Sequence, residues 1–306
     1  MKKRIAWGIT GAGCWLFESL FEIGKLLRKE NIKLDLFFSK AGHEVALCYG
    51  VFKKPTPKLK MHVDLVREKP YFNEDIFQKD YIQTYQWLGY QDENNDETGQ
   101  YPYKKYQKNW RKKQQEDLIF SELINDVIFE LDEGASFPTA AKAGAGKYDA
   151  IIISPATGNT VAKITYGIAD SLISNLALMG TKNPETEIIV IPTDYKEGKV
   201  ESYLPVMLHP ETCKNCQDCD VMWSCKEGAI QKRRGKMSIN RLKCIGCLEC
   251  VRNCRFGVLT YLENISITVA PREARTVEKL TKNENVTVFE KPDQIMDYLN
   301  SHLLRE

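Results

Sequence analysis

The chain has 306 residues, 43% of them hydrophobic, and a formal net charge of +2. That length suits about two domains, and the apolar content supports a sizeable core, which excludes a globally disordered chain. The charge balance gives no basis for nucleic-acid or membrane-surface binding, and no apolar run reaches the ~18 residues of a membrane span.

The start, Met1-Lys2-Lys3-Arg4, is basic, but the run from Ile5 to Gly11 is too short and too glycine-broken for a signal peptide. It predicts a buried strand over 4–10, and a reducing, cytoplasmic location is expected. The strand ends in Thr10-Gly11-Ala12-Gly13. The spacing over 16–29 predicts an amphipathic helix, and 34–38 a second strand ending at Ser39. This βαβ opening favours a parallel sheet covered by helices. Residues 53–115, rich in polar and aromatic side chains, read as an insertion of loops and short helices. A helical pattern is expected over 118–131, a core strand over 149–153, and a loop over 154–160. Helical spacing follows over 161–179, and another buried strand over 187–192. Composition shifts sharply near 209, where a cysteine-rich segment begins. Beyond 262, strands over 265–269 and 286–289 and helices near 272–280 and 292–304 resume the α/β pattern. The expected division is a sheet domain over 1–208, a cysteine module over 209–262, and a return to the sheet domain over 263–306.

Eight of the ten cysteines lie between Cys213 and Cys254; Cys14 and Cys48 stand alone. Crowding of this kind in a larger chain argues for metal rather than disulfides. The runs are Cys213-x2-Cys216-x2-Cys219-x5-Cys225 and Cys244-x2-Cys247-x2-Cys250-x3-Cys254. A CxxCxxC triplet wraps three thiolates around one cubane and leaves the fourth cysteine to reach the other. That logic assigns Cys213, Cys216, Cys219 and Cys254 to one [4Fe–4S] cluster, and Cys244, Cys247, Cys250 and Cys225 to a second. Structural zinc is the alternative, but it takes two separated CxxC pairs, which two triplets fit poorly.

Cys225-Lys226-Glu227-Gly228-Ala229-Ile230 and Cys254-Arg255-Phe256-Gly257-Val258-Leu259 resemble the Cys-Pro-x-Gly-Ala-Ile ending of bacterial-type two-cluster ferredoxins. Lys226 and Arg255 replace the prolines, and the first run is two residues longer before Cys225. Lys226, Arg252 and Arg255 either favour reduced clusters by their charge or are solvated surface groups. The basic run Lys232-Arg233-Arg234-Gly235-Lys236 is expected on a hairpin, as an exposed turn or as a dock for an acidic electron donor.

The small residues of Gly8-Ile9-Thr10-Gly11-Ala12-Gly13 let backbone N–H groups approach a phosphate, although the spacing is not GxGxxG. Pro155-Ala156-Thr157-Gly158-Asn159-Thr160, with Lys163-Ile164 and Gly167-Ile168-Ala169-Asp170 after it, resembles the flavoprotein family that includes the flavin-containing cysteine decarboxylases. The resemblance implies a Rossmann-like fold, bound FMN, and a homo-oligomer built from trimers. It also implies that Thr10, Gly11, Ala12, Gly13 and Ser39 hold the FMN phosphate region, and that Ala156, Thr157, Asn159 and Thr160 lie along the flavin. Asn159 and Thr160 equally suit a helix cap. The decarboxylases' catalytic histidine is missing from 136–140, and Pro205-Val206-Met207-Leu208 lacks the asparagine of their substrate motif. His43 is expected as a lone surface histidine.

The fold class expected is α/β: a Rossmann-like parallel-sheet flavoprotein domain with an inserted α+β bacterial-type two-[4Fe–4S] ferredoxin domain. This layout resembles the acceptor-type dihydromethanopterin reductases of methanogenic archaea. That resemblance implies an enzyme that takes electrons from an external low-potential carrier protein and reduces a dihydropterin to tetrahydromethanopterin at the flavin. Tyr81, Trp87, Tyr101, Tyr103 and Trp110 either stack on a pterin or pack within the insertion. A relay between carrier proteins without a small substrate and a flavin-dependent decarboxylase are the alternatives.

Overall fold

The computed structural model describes residues 2–52 and 123–304. The insertion expected over 53–115, with its five aromatic candidates, lies outside the described residues. The chain divides into two compact units, one formed by Met1–Tyr49, Leu123–Pro205 and Leu262–Glu306, the other containing Val206–Tyr261.

In chain order the first unit holds β1 (Lys3–Ile9), α1 (Leu16–Leu26), β2 (Ile32–Phe38), α2 (Lys40–Cys48), β3 (Asp126–Phe129) and α3 (Pro138–Ala141). It continues with β4 (Ala150–Ala156), α4 (Gly158–Tyr166), α5 (Leu172–Gly180), β5 (Glu187–Pro192) and β6 (Gly198–Leu204). The second unit holds β7 (Met207–Leu208), α6 (Asp220–Ser224), β8 (Ile230–Arg233), β9 (Lys236–Ile239), α7 (Glu249–Asn253) and β10 (Leu259–Thr260). The chain then re-enters the first unit with β11 (Glu263–Val269), α8 (Pro271–Thr281), β12 (Thr287–Val288) and α9 (Gln294–His302).

Six strands form one parallel sheet in the order β12-β5-β4-β1-β2-β3. The order reverses at β1, whose Ile5 pairs with Leu34 on one side and Ala150 on the other. Every residue of β4 is buried, the continuous apolar run that a sheet covered on both faces requires. Trp7 is fully buried in β1, and its indole N–H donates to the Ser154 carbonyl at 2.7 Å. Burying so large a side chain is affordable because its one polar atom is satisfied.

Four expectations are corrected. The described end of the helical pattern over 118–131 is a strand, β3, because Val127 and Ile128 pair with Leu36 and Phe37 of β2. The helical stretch over 161–179 is two helices, α4 and α5, parted at Gly167, whose φ of 72° ends α4 in the left-handed region. β11 does not join the main sheet; it pairs antiparallel with β6 along seven residues. His43 is not on the surface: it is buried on α2, its ring 4.5 Å from that of Phe129.

The second unit is built as two similar halves. β7 pairs with β10 and β8 with β9, both antiparallel, and α6 packs on α7. Val206, Val221, Ile230, Met237, Leu248 and Val258 form its core. In each half the chain turns alike after the last cysteine. Gly228 (φ 58°) bonds back to the Cys225 carbonyl at 3.0 Å, and Gly257 (φ 60°) to that of Cys254 at 3.1 Å. Only glycine takes that conformation freely, which accounts for the glycine three residues after each cysteine. Among the described residues no helix is long and apolar enough to cross a membrane.

Candidate cofactor sites

In an open parallel sheet, ligands bind beyond the carboxyl ends of the strands where the strand order reverses. Here that point lies between β1 and β4; the Thr10–Gly13 turn leaves β1, and Thr157 alone links β4 to α4. Thr10 joins them. Its hydroxyl donates to the Pro155 carbonyl at 2.7 Å and accepts the Thr157 N–H at 2.9 Å. α2 starts close by. A Cβ on Gly11 would stand 2.6 Å from that of Ala41, and one on Gly42 would overlap the Ile9 carbonyl. The backbones of three segments therefore approach with no side chain between them, and three helix N-termini (α1, α2, α4) gather at one end of the sheet.

Two of these N-termini are capped by their own residues. Ser39 accepts the Gly42 N–H at 2.9 Å, and Thr157 accepts the Thr160 N–H at 3.4 Å. α1 is preceded by Trp15 (φ 61°), which gives no side-chain cap, and its Leu16 N–H turns back to the Gly13 carbonyl at 3.2 Å.

The crevice also carries acid. Asp194, just beyond β5, receives the Gly158 N–H, and burial followed by repulsion from Glu273 pushes its carboxyl above the ordinary range. One oxygen of Glu273 takes the Arg272 guanidinium at 2.9 Å; the other is buried without a hydrogen-bond partner. Burial, then Glu18 and Asp194, push the Cys14 thiol up to about 12, so it stays neutral.

In the second unit Cys225, Cys244, Cys247 and Cys250 line one cavity together with Val206, Ile230, Ile239 and Leu248. Burial and the three neighbouring thiols push Cys250 up to about 12, the penalty expected where thiolates crowd without a cation. Four thiols around a cavity, rather than converging on a point, fit a cluster better than zinc, whose ~2.3 Å bonds draw sulfurs together. The Ala229 N–H points at the Cys225 sulfur, 3.3 Å away. Cys213, Cys219 and Cys254 pack on the core of this unit. Arg255, next to Cys254, bonds Asp220, next to Cys219, at 2.6 Å and lies within electrostatic reach of Cys216 and Cys219. The end of the second run thus returns to the first. None of the ten cysteines forms a disulfide.

The Flavoprotein family profile matches residues 1–197. The chain belongs to the Flavoprotein family. This Flavoprotein-family chain is 30% identical to a dihydromethanopterin reductase (acceptor) of Methanocaldococcus jannaschii, over 98% of its own length and 97% of that protein. It is 28% identical to the protein of the same description in Methanosarcina mazei, over 96% and 98%. A 51-residue stretch is 37% identical to an iron–sulfur protein of Rhodospirillum rubrum, covering 17% of this chain and 27% of that one. The chain is a flavin and iron–sulfur oxidoreductase.

Within the Flavoprotein domain, Thr10, Gly11, Ala12, Gly13, Ser39, Ala156 and Thr157 all lie at the same end of the sheet. Ala156 belongs to β4 rather than to a loop. Thr157, not Asn159 or Thr160, is the residue that caps α4. Asn159 is exposed in the first turn of α4, while the Thr160 hydroxyl turns inward to Thr157 at 3.1 Å. Asp194 and Glu273 were not anticipated. The available signal was Asp194 itself, a carboxylate two residues past the apolar run of β5.

Proposed function

We propose that the chain passes electrons from an external low-potential carrier protein through two [4Fe–4S] clusters to FMN, and so reduces dihydromethanopterin to tetrahydromethanopterin. The observation that carries this reading is that one chain holds both a four-thiol cavity and a switch-point crevice of helix N-termini. When bound, clusters move single electrons, and a flavin collects two and delivers a hydride equivalent.

The protein's own groups do the rest. Cys213, Cys216, Cys219 and Cys254 hold the first cluster, and Cys225, Cys244, Cys247 and Cys250 the second, within a ferredoxin segment spanning 209–262. The Thr10–Gly13 turn and the Ser39 hydroxyl bind the FMN phosphate. Ala156, Thr157, Asn159 and Thr160 border the ring. The thiols suit the reducing cytoplasm. Tyr166 at the end of α4 and Ile168 just beyond it, 59% and 47% exposed, supply apolar surface for a homo-oligomer built from trimers.

The test is an anaerobic titration of reduced protein with dihydromethanopterin. Flavin re-oxidation is expected, with one tetrahydromethanopterin formed for every two electrons the reduced protein holds. Inertness toward the pterin, with fast electron exchange to a protein acceptor, would leave a relay instead.

A further inference from the structure

The segment from Val206 to Tyr261 carries ten Lys and Arg against five Asp and Glu. Away from the hairpin, several of these cations are engaged. Arg255 bonds Asp220, Arg252 bonds Glu249 at 2.8 Å, and Arg241 donates to the Val206 carbonyl. Lys232, Arg233, Arg234 and Lys236 are different. All four are exposed at the tip of the β8–β9 hairpin, and none has an acidic partner among the described residues.

The tip is a tight two-residue turn, Arg234 (φ 49°) and Gly235 (φ 77°). Two consecutive left-handed residues make the type I′ turn that suits a twisted hairpin, and Asn-Gly is its preferred sequence. Arginine in the first position is a poor choice for the turn itself. Arg233 and Lys236 form the pair that closes the hairpin, so two like charges stand directly opposite each other, an arrangement that destabilises a sheet pair. The tip is therefore loaded with positive charge against its own folding preference.

The other end of the hairpin reaches the cluster cavity. Ile230 pairs with Ile239, and both line the cavity that holds Cys225, Cys244, Cys247 and Cys250. From Ile230 to Arg233 is three residues, about 10 Å of strand. A protein seated on the tip lies within that distance of the cavity wall.

We infer that the hairpin tip is the docking site of an acidic one-electron carrier protein, and that the Cys225, Cys244, Cys247 and Cys250 site is where its electron arrives. This rests on the proposal that electrons come from an external carrier, and adds where that carrier binds. Each encounter oxidises the carrier by one electron and leaves that electron on the four-cysteine site, with no proton or atom transferred. Two encounters supply the pair that a flavin needs.

The experiment is stopped-flow reduction of the anaerobic holoprotein by a pre-reduced acidic bacterial-type ferredoxin, with dithionite as the small-molecule control. In Lys232→Gln/Arg233→Gln/Arg234→Gln/Lys236→Gln the second-order rate with ferredoxin should fall about tenfold or more at low salt, and added salt should bring the wild type down toward it. Dithionite rates and iron content should not change. Arg234→Asn, which suits the turn and so preserves folding, should give a drop of about two- to threefold. Equal ferredoxin rates in wild type and variants overturn the docking site while leaving the external carrier standing. A wild type that accepts electrons from dithionite but not from ferredoxin overturns the carrier reading and the docking site together. Binding of phosphatidylglycerol vesicles in preference to ferredoxin, lost in the fourfold variant, also overturns it.

Discussion

Thr10 and Thr157 are tied by a single hydroxyl that bridges the two halves of the sheet, donating to the Pro155 carbonyl while accepting the Thr157 N–H at 2.9 Å. Thr10 is 1% exposed, so water cannot replace either bond. Thr10→Val keeps the shape and leaves the Thr157 N–H without its acceptor, while the Pro155 carbonyl keeps only the Thr10 N–H at 3.3 Å, at a cost of about 1–3 kcal/mol. Thr10→Ser keeps the hydroxyl. Urea unfolding should separate the two, with the valine variant less stable and poorer in retained flavin. Coincident unfolding curves for Thr10→Val and wild type would show that the hydroxyl does not hold these turns together.

Asp194 gives the crevice a pH dependence. Burial and Glu273 raise its carboxyl, so the folded chain holds that proton more tightly than the unfolded chain does. Its contribution is fully present below the ordinary aspartate range and is lost as pH rises through the raised value. Asp194→Asn keeps an acceptor for the Gly158 N–H and removes the charge that repels Glu273. Its melting temperature should exceed that of wild type by a margin that grows as pH rises above the ordinary aspartate range. A margin that does not change with pH from below that range to neutrality would mean the carboxyl is ionised at little cost.

The sheet was legible where its strands are unbroken apolar runs, as from Ala150 to Ile153, because burial on both faces demands such runs locally. β3 was not. Leu123, Ile124, Val127 and Ile128 are spaced like one face of a helix, and their strand pairing comes from Asp35 to Phe38, far away in the chain. The cysteine runs could be read because cluster geometry is written into short spacings. The place of Asp194, two residues past an apolar run, was visible in the sequence, but its burial and its neighbours Gly158 and Glu273 were not, since they come from separate elements.

Arg255 tests how charge acts on the cluster proposed for Cys213, Cys216, Cys219 and Cys254. Its bridge to Asp220 joins side chains that are 67% and 48% exposed, so solvent screens it and it contributes little to stability. Its charge still reaches Cys216 and Cys219. Arg255→Gln should leave the unfolding midpoint nearly unchanged and lower the potential of one cluster only, because reduction adds negative charge there. Redox titration followed by electron paramagnetic resonance reads both clusters. Equal shifts in the two, or none, would remove the special role of this arginine.

The proposed crossing of the ligand sets makes a prediction that own-run pairing does not share. Cys225 follows the first triplet in the chain, yet it lines the same cavity as Cys244, Cys247 and Cys250 of the second. If those four thiolates hold one cluster, Cys225→Ala and Cys244→Ala damage the same site. Each single variant, and the double variant, should then lose the same half of the bound iron. Cys225→Ala combined with Cys213→Ala should instead strip both sites, because Cys213 belongs to the first triplet, whose fourth ligand would be Cys254. Iron and sulfide analysis of anaerobically purified variants distinguishes these outcomes. Full loss in the Cys225/Cys244 double variant, with half retained in the Cys225/Cys213 variant, would mean that each run closes on its own cluster.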